Sequence, residues 1–409
     1  MGGQRYERRL VTLLFFAWGF VFLDRLAITF LFPTIAPEIH LSNANLGTIN
    51  LWQVVGYAAS AIIFGMISDK TGYRKKWLVI FVFAASLFSA LSAASGSFET
   101  LVFFRFLTGA SEGPVLPIAM SMLSMQGNPK KFGRNSGIVN AGVSVLASTI
   151  GPIIVTQLVV HFNWHMAFIL SSIPSFLLAI FLIKFSKEID PSEIKEQETI
   201  KWKDFVKVIK YRNVVLNLLI SILAMGGYWI MLTFAPLYWV EVGHLSNQTM
   251  GLLSSGTGLI GIFWCIAVPY IADHIGRKTT LIIFCFLSII PLAVLYFFQG
   301  GWISVAAYVL LTGVMGGMFP LYMTIIPMET VPKHLAATAN ALIMGAGELI
   351  GGAIVPRVAG SFADMYGLGM VMICGAIGFF IAALVGFGLI ETKPKAVKVS
   401  ADIVNQPNT

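Results

Sequence analysis

Six charged side chains stand inside otherwise apolar segments of this 409-residue chain: Asp24, Arg25, Arg105, Glu112, Glu348 and Arg357. Near the centre of a bilayer each charge costs on the order of 2.5–3.5 kcal/mol. Packing alone does not favour six of them, so most are expected to face one another or a wet cavity. Arg105 and Glu112 are two helical turns apart, on one face and separated by about 10 Å along the axis. That is too far for a tight mutual pair, which leaves both free to meet a neighbouring helix. Pro114 follows Glu112 closely, removes a backbone donor and opens the preceding turn. A carboxyl beside loosened backbone in apolar surroundings favours its neutral form, so Glu112 is a candidate to take up and release a proton. Asp24 and Arg25 are adjacent, about 100° apart around a helix, so one can face helix contacts while the other faces a cavity. The planar fork of Arg25 fits a carboxylate with two parallel hydrogen bonds. Asp24 can then pair with Arg25 or Arg105 while that cavity is empty and take a proton when it is filled. Asn140 and Ser144, one turn apart, are weaker candidates for a polar wall. So is Glu348 in GAGELIGG, whose small residues allow close helix approach. Arg357, towards the outer end of its segment, reads as a snorkelling residue.

The elements that must position these groups follow from composition. The chain is 57% hydrophobic and 11% charged, which excludes a soluble globular protein and leaves room for about twelve spans of roughly 20 residues. Apolar runs place them near 10–32, 46–68, 77–96, 101–125, 133–161, 165–186, 213–240, 248–272, 279–298, 302–327, 336–362 and 367–390. Helices are expected, because backbone groups in lipid must be satisfied within the segment. The fold class is therefore an all-α membrane protein of twelve helices. Residues 1–186 and 213–391 form two six-helix bundles, 187–212 a linker and 392–409 a tail. Of the 27 Lys and Arg, all but Arg25, Arg105 and Arg357 fall in alternate loops and at the termini. This asymmetry makes the basic side cytoplasmic, with both termini there and the chain in the cell's inner membrane. It also removes nucleic acid as the reason for the net charge of +8. In the linker, Trp202, Phe205, Val206 and Ile209 lie opposite Lys203, Lys207 and Lys210, as in a helix resting on the membrane surface.

The halves repeat at a constant offset of 204 residues. Leu107, Thr108, Gly109 and Gly113 recur as Leu311, Thr312, Gly313 and Gly317, and Asp69, Gly72 and Pro152 as Asp273, Gly276 and Pro356. The charges do not recur. Arg105 falls on Val309, Glu112 on Gly316, and Asp24 and Arg25 on Tyr228 and Trp229. Glu348 is the equivalent of Ser144, so both are expected to point into one central cavity from opposite halves, with Tyr228 and Trp229 as further lining. Two repeats of six spans share one orientation about an axis along the membrane normal.

GMISDKTGYRKK, with Gly65, Asp69, Gly72, Arg74 and Lys75, and its degenerate copy PYIADHIGRK, with Asp273 and Arg277, resemble the loop motif of the major facilitator superfamily. FLDRLAITFLFPTIAPEIHLS, FRFLTGASEGPVLP, NWHMAFIL and TFAPLYWVE resemble its anion:cation symporter family of galactonate, glucarate, hexuronate and sialin-type carriers. The chain departs from the sugar-acid members in Phe22 and in Trp52-Gln53-Val54. The resemblance implies a proton-coupled symporter that imports an organic anion by alternating access. It makes Asp24 and Glu112 the proton sites and Arg25 the substrate contact. Arg105, Asn140, Ser144, Tyr228, Trp229 and Glu348 join the substrate wall. Asp69, Arg74, Asp273 and Arg277 become gating residues. The expected partners are a small organic anion, protons and lipid, with a monomeric carrier and no cofactor.

The alternative is a proton-coupled exporter of drugs or metabolites. Against it, Gly151-Pro152 is followed by Ile153-Ile154 and not by paired glycines, and two midplane arginines suit cationic drugs poorly. No metal spacing, phosphate loop or nucleophile with a base suggests an enzyme. Cys265, Cys285 and Cys374 read as packing residues.

Overall fold

In the computed structural model, which describes residues 2–188, 202–298 and 301–392, the backbone is helical throughout and, among those residues, without strands. Among the described residues, ten helices are long and apolar enough to cross a membrane: Gln4–Glu38, Asn43–Ser68, Arg74–Ala94, Pro129–His161, Trp164–Phe185, Arg212–Glu241, Asn247–Ile275, Arg277–Phe297, Val305–Thr330 and Lys333–Tyr366. These are spans one, two, three and five to eleven. Span four is broken into Phe98–Glu112 and Val115–Gln126, and span twelve is Met370–Gly386. The break falls where Pro114 has no N–H to continue the helical ladder, so Glu112 closes the first piece.

The repeat is visible in the backbone as well as in the residue pattern. Spans five and eleven each contain a π-helical stretch, Val143–Ile150 and Gly347–Ile354, at equivalent positions. Wider turns of this kind recur at functional sites because they displace side chains from the regular helical register. Ser144 and Glu348 occupy them. Span four packs on span two so closely that a Cβ on Gly109 would overlap the carbonyl of Gln53, and one on Gly113 the carbonyl of Tyr57. Gly313 and Gly317 make the matching approach of span ten to span eight at Trp264.

The halves meet from mid-membrane to the end remote from the termini. There the first two N–H groups of span two, on Asn43 and Ala44, donate to the Asp364 carboxylate of span eleven at 2.8 and 3.0 Å. A helix start has unpaired donors and partial positive charge, which suits a carboxylate. Asn50 donates to the Gly352 carbonyl at 2.8 Å, and Ser255 of span eight donates to the Thr149 carbonyl of span five.

Among the described residues, the linker contributes one short helix. Its helix is Trp202–Val208, and the anchor is Val208, fully buried beside Val331, Leu335 and Ile343, while Val206 and Ile209 are exposed. This contact with the ends of spans ten and eleven adds a buried anchor that the sequence pattern did not mark. Residues 189–201, the side chains of Trp202 and Lys203, and the tail beyond Thr392 lie outside the described residues.

Candidate functional site

Span one carries two adjacent charges into different surroundings. Asp24 is fully buried against span six, where Oδ2 accepts a 2.6 Å hydrogen bond from Ser175 Oγ. Its Oδ1 is buried without a hydrogen-bond partner among the described residues. Arg105 of span four is also fully buried and its fork is occupied. Nε and one terminal nitrogen donate to Ser92 Oγ at 3.0 and 2.7 Å, the other donates to the backbone carbonyl of Asp24 at 3.0 Å, and the group stacks on Phe168. The expected pairing of the Asp24 carboxylate with Arg25 or Arg105 is therefore absent in this state. Arg105 grips the helix that bears Asp24 and does not hold its carboxylate. Lysine is a single point charge and cannot reproduce that fork. Arg105→Lys is expected to leave buried acceptors unmatched and cost about 1–3 kcal/mol, read as a lower melting temperature in detergent with slower uptake.

Glu112 is buried at the break in span four, and neither carboxylate oxygen has a hydrogen-bond partner among the described residues. Gln53 of span two approaches it, and Gln53 Nε2 is itself buried and unbonded. Gln53 entered the sequence reading only as a departure from a motif. A lone amide in an apolar run was the available signal.

Arg25 points the other way, to the interface between halves. Its guanidinium is caged by Phe22, Tyr57 and Trp229, with ring centres 5.2, 4.9 and 4.8 Å away. Nε and one terminal nitrogen make no hydrogen bond, and that terminal nitrogen lies 3.8 Å from Glu348 Oε2. Trp229 is the repeat equivalent of Arg25, so the two halves meet here at corresponding positions.

Below this cage lies a cavity of about 670 Å³ between the halves. Asn140, Ser144, Tyr228, Trp229 and Glu348 all line it. Arg25 does not; the rings of Phe22 and Trp229, which do line it, stand between. Arg105, Asp24 and Glu112 lie deeper in the first half. Asn140 and Met344 are exposed at the end nearer the termini, so the cavity opens on that side and is closed on the side of the Asp364 contacts. Cys265 is a lining residue and not the packing residue expected of it, while Cys285 is buried. Arg357 donates to Ser361 one turn on in its own helix.

The terminal side holds the duplicated loops. Arg277 pairs with Asp273 one turn back and with Glu329 of span ten at 3.1 Å. Arg74 is buried, and the side chain of Asp69 lies outside the described residues. Each half also ties the start of its third helix to the end of its sixth. Lys75 and Lys76 N–H donate to Glu188 at 2.9 and 3.0 Å, and Arg277 and Lys278 N–H donate to Glu391 at 2.8 and 3.2 Å. Sequence reasoning missed Glu188, Glu329 and Glu391. At the repeat offset Glu188 falls on Thr392 and Glu391 on Lys187, one position out of register, so the offset alone does not flag them.

The pattern of the Major Facilitator Superfamily matches residues 14–356. A hexuronate transporter of Bacillus subtilis is 27% identical over 277 residues, 66% of this chain and 65% of its own length. A probable L-galactonate transporter of Escherichia coli is 24% identical, over 67% of this chain and 63% of its own. Multidrug resistance protein 3 of Bacillus subtilis is 24% identical, over 83% and 60% respectively. The chain thus spans somewhat under two thirds of the length of these curated relatives. Among solved structures, a bacterial homologue of the human lysosomal transporter Spinster superposes with a TM-score of 0.79 at 16% identity, covering 93% of this chain and 96% of that one. With this fold and this match, the chain belongs to the Major Facilitator Superfamily, whose members are multi-pass membrane transporters and not enzymes.

Proposed function

We propose that the protein imports an organic anion together with protons by alternating access, with the termini and the open mouth of the cavity on the cytoplasmic side. The observation that carries this reading is Glu112, a buried carboxyl with no hydrogen-bond partner among the described residues, in the same half as Arg25, a buried cation that the rings of Phe22 and Trp229 separate from the cavity. A buried carboxylate without a partner is costly, so neutralising it by protonation is the step that lets the carrier close. Asp24, with one unpartnered oxygen, serves as the second proton site. Arg25 holds the anion, and Asn140, Ser144, Tyr228 and Trp229 form the wall around it. Arg105 positions Asp24 and does not touch the cargo. The hexuronate and galactonate relatives support an acid as cargo. Asp273–Arg277–Glu329, with Arg74 and Asp69 in the other half, form the cytoplasmic gate.

The multidrug relative and the aromatic lining of the cavity favour a second reading, proton-coupled export. Proteoliposomes separate the two. Adding D-glucuronate, D-galactonate or 4-hydroxybenzoate outside is expected to drive protons inward with the anion. Proton movement opposite to the solute supports export, and no acid-dependent movement with any anion removes the symport reading.

A further inference from the structure

Glu348 is misplaced on charge alone, since it puts a carboxylate in the wall of a cavity that should receive anions. Its surroundings supply a reason. Oε2 makes no hydrogen bond and faces a terminal nitrogen of Arg25, also unbonded, across 3.8 Å and across the boundary between halves. Arg25 is only 4% exposed. Glu112 of its own half also interacts electrostatically with it, but Glu348 is the acid at 3.8 Å, and without that close counter-charge the buried cation is poorly compensated, which is costly. The aromatic cage lowers that cost through cation–π contact but supplies no acceptor. A second donor stands unused at the same spot, the buried Nε1 of Trp229, close to Glu348 about the Gly352 backbone. Two donors and one acid thus already form the arrangement that a bound carboxylate would complete.

We propose that Glu348 is an internal stand-in for the substrate carboxylate, holding Arg25 while the carrier is empty and yielding it to the incoming anion. This rests on the anion-uptake reading above. Loaded and empty carriers then both pass through the closed state with Arg25 paired, so neither strands a buried cation. The looseness of the contact suits exchange, because an ion pair without hydrogen bonds is released more readily than a bidentate one. The device is single: the equivalents of Arg25 and Glu348 in the other half are Trp229 and Ser144, which form no such pair. The π-helical turn that carries Glu348 and the neighbouring glycines, Gly351 and Gly352, bring its carboxylate to the interface.

Removing the stand-in has opposite effects on two quantities. Glu348→Gln frees Arg25 from its internal competitor, so anion affinity rises, by about tenfold for a typical coupling energy. The empty carrier then has to return with Arg25 unpaired, so net uptake slows. Counterflow, which needs no empty return, speeds up at low anion concentration. A merely structural ion pair would lower both rates and leave affinity unchanged or weaker.

The test uses the full-length protein in detergent and in proteoliposomes, with D-glucuronate, D-galactonate and 4-hydroxybenzoate as probes. Tryptophan fluorescence gives affinity, and net uptake and counterflow are measured side by side. Glu348→Gln is expected to bind the responding anion about tenfold more tightly and to show a lower ratio of net uptake to counterflow, with Glu348→Asp moving both back toward the native values. Glu348→Ser, which installs the residue of the equivalent position, replaces Glu348→Gln if that variant does not fold. Unchanged affinity with an unchanged ratio overturns the stand-in and leaves anion uptake intact. No response of either protein to any of the three anions overturns the anion reading and the stand-in with it.

Discussion

Glu112→Gln is expected to cut uphill accumulation of the anion sharply while counterflow persists. The amide keeps the size of the protonated acid and is permanently neutral, so the altered carrier is fixed in the state that proton binding produces. It still closes around cargo and exchanges anion for anion, but it no longer requires a proton on each inward crossing. The magnitude follows from the membrane potential. Moving one elementary charge through 100 mV is worth about 2.3 kcal/mol. With Asp24 still able to carry a proton, the altered carrier moves one compensating charge fewer per anion, so its accumulation at that potential is expected about fiftyfold below the native level. The measurement is the steady-state ratio of anion inside to outside in proteoliposomes with an imposed proton gradient, taken beside counterflow with no gradient. Accumulation equal to the native level in Glu112→Gln would remove Glu112 from the coupling step. Loss of counterflow as well would make it a structural or substrate group.

The fold was legible because membrane spans are written in lengths of apolar sequence, and the repeat in residues of one type at one offset. All twelve expected spans have a helical counterpart, including the break at Pro114. The candidate site was legible in its membership and not in its pairing. Asp24, Arg25, Arg105 and Glu112 stood out as charges in apolar runs, yet the partner of Asp24 is Ser175 and that of Arg105 is Ser92. Serine in a membrane helix reads as a small packing residue until the neighbouring helix is known. Contacts between halves were equally hidden. Asn43 and Asp364 are 321 residues apart, and their meeting depends on how two separately folded bundles dock. The π-helical turns of spans five and eleven leave no mark in hydropathy, though they orient Ser144 and Glu348. Val208 shows the same limit on a smaller scale. The charge pattern located a helix, and the docking surface under it chose which residue is buried.

Arg25→Ala is expected to remove anion binding, and the cage around Arg25 makes the loss severe. Three aromatic rings exclude water from the guanidinium, so a carboxylate reaching it exchanges hydration for one strong, desolvated pair. Truncating one partner of such a pair costs about 2–5 kcal/mol, a fall in affinity from roughly thirtyfold to several thousandfold. The variant also leaves Glu348 facing an emptied aromatic pocket, where its own charge repels an entering anion. That second effect gives a specific signature. Arg25→Ala combined with Glu348→Gln is expected to recover part of the lost affinity, because the repulsion goes while the missing donor stays missing. Independent contributions would give the same gain of about tenfold that Glu348→Gln gives in the native protein, so coupling is read as a recovery that departs from that factor. Titration of native protein, the two single variants and the double variant with the same anion measures the coupling directly. Full affinity in Arg25→Ala would move the anion site to another cation, and a strictly additive cycle would separate Arg25 from Glu348.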